Sequence, residues 1–273
     1  MQKAGLRFLY ATRFGRVVLR HMMGPGFSRR IGRWMDSRLS KPLVWWAYLT
    51  RREAFRQAQY KRPKFYRSYN DFFTRPFVRE PVQIPPGGVI SPGDGWLTCV
   101  PLSAEGSFQI KGMPYTLVSL LGDAELAAYY AGGTMCLVRL TTRDEHRFGY
   151  AVAGQVGCLV RLEGKLHSVM PYATALEPVY AENRRSYTIT TAGNGAKVAQ
   201  IEVGALCIGR IDYTCEGPHT ADLEQERGRF CYGGSSIAVL LPPQGYDILP
   251  QEGDETPDGE VHIIKGQMLA QEA

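Results

Sequence analysis

Acidic residues are almost missing from the first quarter of the chain: residues 1–67 hold only Asp36 and Glu53, against 17 lysines and arginines. The remainder reverses the balance, with 15 basic and 24 acidic residues, so the net charge of +6 conceals a strongly cationic segment joined to an acidic one. Long hydrophobic runs are also lacking. Nowhere do about 18 apolar residues follow one another, which argues against a membrane-spanning helix. The opening Met1-Gln2-Lys3-Ala4-Gly5-Leu6-Arg7 leads into no apolar stretch of signal-peptide type, so secretion is not expected. The six cysteines form no Cys-x-x-Cys pair. They sit mostly in apolar runs such as Met135-Cys136-Leu137-Val138, and read as buried thiols of a reducing compartment; no metal is expected. Internal repeats and low-complexity tracts are absent.

What is present suits one main domain with an appendage: 273 residues, 44% of them hydrophobic. In the cationic segment Leu6, Tyr10, Phe14, Val17 and Val18 recur at helical spacing with Arg13, Arg16 and Arg20 between them, and Trp45-Trp46-Ala47-Tyr48 precedes Arg51-Arg52. Aromatic and basic residues interleaved in this way fit helices lying on an anionic membrane surface. The alternative is a set of core-packing helices with a solvated basic face. Nucleic acid is not expected as a partner, because the main domain is acidic. Gly24-Pro25-Gly26 and Lys41-Pro42 divide residues 1 to about 66 into two or three short helices. A linker-like stretch, residues 79–88, follows. From residue 89 the texture changes to β-type runs: Cys136–Leu140, Val156–Leu162, Ser186–Thr191, Val198–Val203, Leu206–Tyr213 and Ile237–Leu241. One helix interrupts them, with Asp123 as N-cap and Gly132 as stop. The expected fold is α+β: a basic helical segment, 1–67, followed by a β-rich catalytic domain, 68–273, of packed antiparallel or mixed sheets.

Gly233-Gly234-Ser235-Ser236 stands between Phe230-Cys231-Tyr232 and the apolar run Ile237–Leu241. Two glycines at the head of a strand read either as a bulge or as a self-cleavage site, where the backbone conformations open to glycine let the next hydroxyl reach the preceding carbonyl. The wider context decides. Asn70-Asp71-Phe72-Phe73-Thr74-Arg75, Ser91-Pro92-Gly93-Asp94-Gly95, Lys111-Gly112-Met113-Pro114-Tyr115, the run Arg139–Arg147, Ser168-Val169-Met170-Pro171, Asn183-Arg184-Arg185, Val203-Gly204-Ala205 and Gly233–Ser236 occur in this order. The set resembles the phosphatidylserine decarboxylases, particularly their short bacterial form, over about residues 68–241. The resemblance implies a proenzyme in which Ser235 Oγ attacks the Gly234 carbonyl and the ester collapses to a pyruvoyl group on residue 235. The products are a β chain, 1–234, and an α chain, 235–273. The pyruvoyl group derived from Ser235 is the implied cofactor: it condenses with the amine of phosphatidylserine and accepts the electrons released as CO2 leaves, giving phosphatidylethanolamine. A peripheral enzyme on the cytoplasmic face of the cell membrane follows from the same resemblance, which leaves room for a homodimer.

Three further residues take roles from it. Asp94, flanked by glycines, is either a turn residue capping backbone amides or the aspartate of a protease-like triad. His146 matches the first histidine of the family's Asp-Tyr-His-Arg-x-His motif, assigned to decarboxylation, although a lone histidine among charged residues is otherwise a surface residue. Arg75 either binds a lipid phosphate or carboxylate or pairs with Asp71. The chain departs from the pattern at the motif's second histidine, the self-cleavage base, where it has Gly149. Glu145 replaces Tyr, Met170 replaces Asn and Ser236 replaces Thr. His146 and His167 are the substitute bases nearest in kind, and an unprocessed lipid-binding pseudoenzyme of the same fold is the alternative reading.

Overall fold

A computed structural model describes residues 2–50, 63–77, 84–206, 210–223, 225–232, 235–257 and 259–273. Residues 2–50 form four α-helices, α1 (Gln2–Ala11), α2 (Arg13–Met22), α3 (Pro25–Asp36) and α4 (Lys41–Thr50). Two of the breaks are those expected at Gly24-Pro25-Gly26 and before Lys41-Pro42. The third comes from Thr12, whose hydroxyl accepts the Gly15 N–H at 2.9 Å and caps α2. No described helix is long and apolar enough to cross a membrane.

These helices bury one side against the main domain. Met35, Val44 and Ala47 pack with Tyr66, Tyr69, Phe72 and Phe73, while Tyr10 and Leu19 pack with Ala173. Their other side leaves Phe14, Val17, Trp46 and Leu49 exposed. The inner face is therefore core, as the packing alternative expects, and the outer face is apolar and cationic.

The main domain is organised around a sheet that runs, edge to edge, His219–Ala221, Gly154–Val156, Arg185–Thr191, Lys197–Val203, Ser235–Leu241, Thr134–Leu140, Gly95–Pro101 and Val261–Ile263, with Val160–Leu162 also paired to Arg185–Thr191. Every neighbouring pair is antiparallel. Every residue of Ser235–Leu241 is buried, as an unbroken apolar run predicts for a strand covered on both faces. The run Val156–Leu162 is split: the Gly157 N–H still donates to the Ile189 carbonyl, the Leu159 N–H turns to Glu216 instead, and the chain rejoins the sheet at Val160. The run Leu206–Tyr213 contributes only Ile211–Tyr213 among the described residues; residues 207–209, like residues 79–83 of the linker, lie outside them. Asp123 caps the helix Ala124–Tyr130 through the Leu126 N–H at 2.9 Å, and Gly132 follows its end with φ +78°. A second helix, Leu117–Leu121, precedes it, closed by a reciprocal Thr116/Ser119 capping box. Five residues are too few for a helical period to show.

Candidate active site

Register fixes which way Ser235 faces. It stands opposite Leu140, and Ser236 stands opposite both Arg139 and Val203. Consecutive strand residues point to opposite faces, so Ser235 shares a face with Ile237 and Ser236 shares one with Arg139. Against the Ile237 face lies the turn Ser91–Asp94. A Cβ on Gly93 would come within 3.2 Å of Ile237 Cδ1, so only glycine allows this approach without a shift. Asp94 is buried next to it; its Oδ1 accepts the Lys265 N–H at 2.8 Å and its Oδ2 the Glu145 N–H at 3.3 Å. Asp94 thus does cap backbone amides, and in doing so ties His146's segment and the C-terminal segment to the turn Ser91–Asp94. Ser235 Oγ is itself fully buried and makes no hydrogen bond among the described residues. Gly233 and Gly234, with the carbonyl of the expected cleavage, lie outside the described residues.

His146 is not a surface residue. Its imidazole is fully buried, its centroid lies 3.8 Å from that of the Phe73 ring, and its Nδ1 is 3.0 Å from the Asp144 carbonyl oxygen. Phe73 comes from the short helix Tyr69–Phe73, capped by Ser68. Asn70 of that helix accepts the Tyr232 N–H at 3.0 Å and donates to Asp36 Oδ1 at 2.7 Å, joining α3 to the residue three positions before Ser235. Arg75, also buried, places its guanidinium 4.3 Å from the Phe72 ring centroid and 5.2 Å from that of Phe77, and donates through Nη1 to the Phe72 carbonyl at 2.8 Å. Gly149 ends the strand Arg147–Gly149; its N–H donates to Pro92 O at 2.8 Å and its carbonyl accepts from Gln200 Nε2 at 3.0 Å. His167 is committed elsewhere, with Nε2 3.2 Å from Glu182 Oε2 and Nδ1 3.4 Å from the Tyr10 hydroxyl. Burial holds its pKa below that of an ordinary histidine, with Glu177 and Glu182 acting in the opposite sense.

A cavity of about 490 Å³ opens where the strands flanking Ser235 end. Its walls are Leu140 with the following Thr141–Asp144, the loop Ser168–Met170, Ala205 and Leu206 after Lys197–Val203, Tyr232, and, across the sheet, Trp96 and His262. The Ser168 N–H donates to the Tyr10 hydroxyl at 3.1 Å, so α1 pins one wall. Ser235, Asp94, His146 and Arg75 do not line this cavity. His262, by contrast, does line it, with Nε2 3.3 Å from Asp144 Oδ1. That hydrogen bond raises the His262 pKa above the ordinary histidine value; burial opposes it, and the charges of Asp144, Asp94 and Asp254 reinforce it. For Asp144 burial favours the neutral acid, yet the hydrogen bonds from His262 and from the Thr141 N–H (2.6 Å) prevail and hold its carboxyl below the usual value. Sequence reasoning missed this pair. A single histidine in Glu260-Val261-His262-Ile263 carries no local signal, and its partner is 118 residues away.

A sequence profile of the family described as phosphatidylserine decarboxylase matches residues 69–270. A phosphatidylserine decarboxylase proenzyme of Chlamydia trachomatis is 38% identical over 183 residues, which make up 66% of this chain and 61% of that protein. The Chlamydia muridarum proenzyme is 34% identical over 248 residues, 88% of this chain and 81% of the other. A phosphatidylserine decarboxylase proenzyme 2 of Clostridium acetobutylicum is 31% identical over 239 residues, 86% and 80% of the two chains.

Proposed function

The chain belongs to the phosphatidylserine decarboxylase family, and from that membership we propose that it is made as a proenzyme, cleaves itself between Gly234 and Ser235, and then decarboxylates phosphatidylserine to phosphatidylethanolamine and CO2. The observation that carries this reading is Ser235: a fully buried hydroxyl at the head of the central strand, with no hydrogen bond among the described residues. A buried polar group left without a partner costs about 1–3 kcal/mol, and a nucleophile awaiting its carbonyl accounts for that cost. The residues present therefore fit a pyruvoyl group formed from Ser235. In the cleavage, Ser235 Oγ takes the Gly234 acyl group from the peptide nitrogen; loss of the Cα proton and departure of the Gly234 carboxylate, then hydrolysis with release of ammonia, leave the new terminus. Once formed, that group supplies a carbonyl able to condense with the substrate amine and draw electrons from the bond to CO2. His146 donates from Nδ1 to the Asp144 carbonyl, which makes Nε2 its basic nitrogen, a proton carrier behind the cavity wall. Asp94 holds the backbone at residues 145 and 265, and with it the position of that imidazole.

Intact-mass measurement of the purified chain tests the reading. Two species ending and beginning at residues 234 and 235 are expected, the smaller one resistant to Edman degradation because a ketoacyl group blocks its terminus. Ser235→Ala should leave one chain. A wild-type chain that stays whole after prolonged incubation would sink the enzyme reading. The second reading, an unprocessed lipid-binding relative, is favoured by Gly149, which brings no side chain to the position of the family's cleavage base.

The outer face of α1–α4 supports a peripheral membrane location; the cytoplasmic side is proposed from the family resemblance alone. Phe14 (70% exposed) and Trp46 (60%) stand out among arginines on helices whose inner face braces the cavity through Tyr10 and, via Asn70, Tyr232. Vesicle binding should rise steeply with anionic lipid and weaken with salt. Phe14→Ser and Trp46→Ser should each reduce it about 10-fold, the worth of one buried apolar side chain at roughly 1.5 kcal/mol. Unchanged sedimentation with vesicles after both replacements would remove this assignment.

A further inference from the structure

Cys99 and Cys136 stand directly opposite each other on two neighbouring strands of the main sheet, Gly95–Pro101 and Thr134–Leu140. Their Sγ atoms share a hydrogen bond at 3.3 Å. Directly opposed residues of an antiparallel pair have Cα atoms about 4.5 or 5.5 Å apart, and both values lie within the roughly 4.4–6.8 Å that a disulfide spans. The two side chains point to the same face, so joining the sulfurs asks for small side-chain rotations rather than backbone movement.

Read from sequence alone both are buried thiols; the structure separates them. Cys136 is fully buried, with Val239 of the strand led by Ser235 opposite it on its other side. Cys99 is exposed. The cause is the edge strand Val261–Ile263, which pairs with Gly95–Pro101 only from Gly95 to Leu97 and leaves Cys99 beyond its end. The hydrogen bond from Cys136 holds the Cys99 thiol below the ordinary cysteine pKa, against the desolvation of its sulfur. The same bond pushes the Cys136 thiol up, and burial and the neighbouring charge add to it. One sulfur is thus open to an oxidant and activated, and a second, protonated sulfur waits at contact distance to displace what the first acquires.

We infer that Cys99 and Cys136 form an oxidisable dithiol, a modification site at which a hydroperoxide converts the pair to a cross-strand disulfide. The Cys99 sulfur attacks a peroxide oxygen and the O–O bond breaks; the alkoxide leaves, takes up a proton and becomes an alcohol, while Cys99 becomes a sulfenic acid. The Cys136 sulfur then attacks the Cys99 sulfur and the S–O bond breaks. Hydroxide leaves with the Cys136 proton as water. Two electrons pass from the two thiols to the peroxide, which ends as one alcohol and one water. A small thiol reverses the reaction by exchange at the exposed Cys99 sulfur.

Both cysteines precede Gly234, so the bond lies within one fragment whether or not the chain divides, and the test is independent of cleavage. The full chain is treated with tert-butyl hydroperoxide, denatured, and its remaining thiols alkylated. Wild type should lose two hydrogens in mass, and digestion should give linked peptides carrying Cys99 and Cys136 that separate on adding dithiothreitol. Cys99→Ser, at an exposed position, should abolish that loss and leave Cys136 open to alkylation. Cys158→Ser removes another exposed thiol, one that shares no hydrogen bond with a second sulfur among the described residues, and should leave the loss unchanged. The crosslink joins residues 37 positions apart, so oxidised wild type should melt on the order of 5–10 °C above its reduced form, a difference absent from Cys99→Ser. Wild type that keeps both thiols overturns the site. So does Cys99 carried to a sulfinic acid, or linked to a different cysteine, while Cys136 still alkylates.

Discussion

Gly149→His is expected to accelerate self-cleavage by about 10²-fold or more, the usual worth of a positioned proton acceptor. Gly149 closes a strand and is absent from the glycines with positive φ, so a side chain there meets no left-handed backbone. Its N–H is bonded to Pro92, two residues before Asp94, which puts position 149 beside the turn that packs on the Ser235 side of the sheet. An imidazole introduced here arrives in a buried polar neighbourhood. The opposing effect is overpacking, typically 1–3 kcal/mol, because Gly149 is buried and Gln200 already bonds its carbonyl. Gly149→Ala is the steric control, and a cooperative melt must be retained in both variants. Faster appearance of the two fragments with His, and not with Ala, is the expected outcome. Equal rates in all three chains would overturn it, and a parallel loss on His146→Ala would then identify His146 as the working base.

The largest stability effect is expected at Arg227. In the Ser235→Ala background, where the chain stays whole, Arg227→Ala should cost about 3–5 kcal/mol, and lower Tm by on the order of 10 °C. Arg227 and Glu202 are both fully buried and paired through Arg227 Nε to Glu202 Oε1 at 2.8 Å and Nη2 to Oε2 at 3.1 Å. Gln200 Nε2 donates to the same Oε1 at 2.9 Å and the Tyr213 hydroxyl to Oε2 at 3.0 Å. The carboxylate thus loses a compensated environment when the guanidinium is removed and keeps its burial. Replacing both partners with apolar residues of similar size, Glu202→Leu with Arg227→Met, should cost much less, because desolvation of both ions is avoided. Urea unfolding of the single and double variants checks this. A single-variant loss below about 1 kcal/mol would mean that the pair is solvated and carries little. Gln200 also bonds the Gly149 carbonyl and the Ala151 N–H, so the same network braces position 149.

Elements with short-range causes were legible in advance. Asp123 caps its helix and Gly132 follows its end because both signals act within a turn, and the buried strand at residue 235 follows from an apolar run behind two glycines. Thr12 as a cap and the helix Leu117–Leu121 escaped, since one hydroxyl or five residues is too little pattern. The interior location of His146 also escaped: its neighbours in sequence are charged, and what covers it is Phe73, from a helix seventy residues earlier in the chain.

By itself the sequence determined the family, the serine at which the chain is expected to divide, the cationic helical start, and a glycine at position 149, where the resemblance implies a histidine, because each is written in residue identity and order. Only the tertiary structure decided what faces the cavity. Ser235, Asp94 and His146 do not line it, while His262 and Asp144, Asn70 and Tyr232, and Tyr10 and Ser168 meet at distances set by sheet register and helix packing. Such pairs join segments more than a hundred residues apart in the chain. No local pattern encodes them, since a one-residue change of strand register would send each strand side chain to the other face.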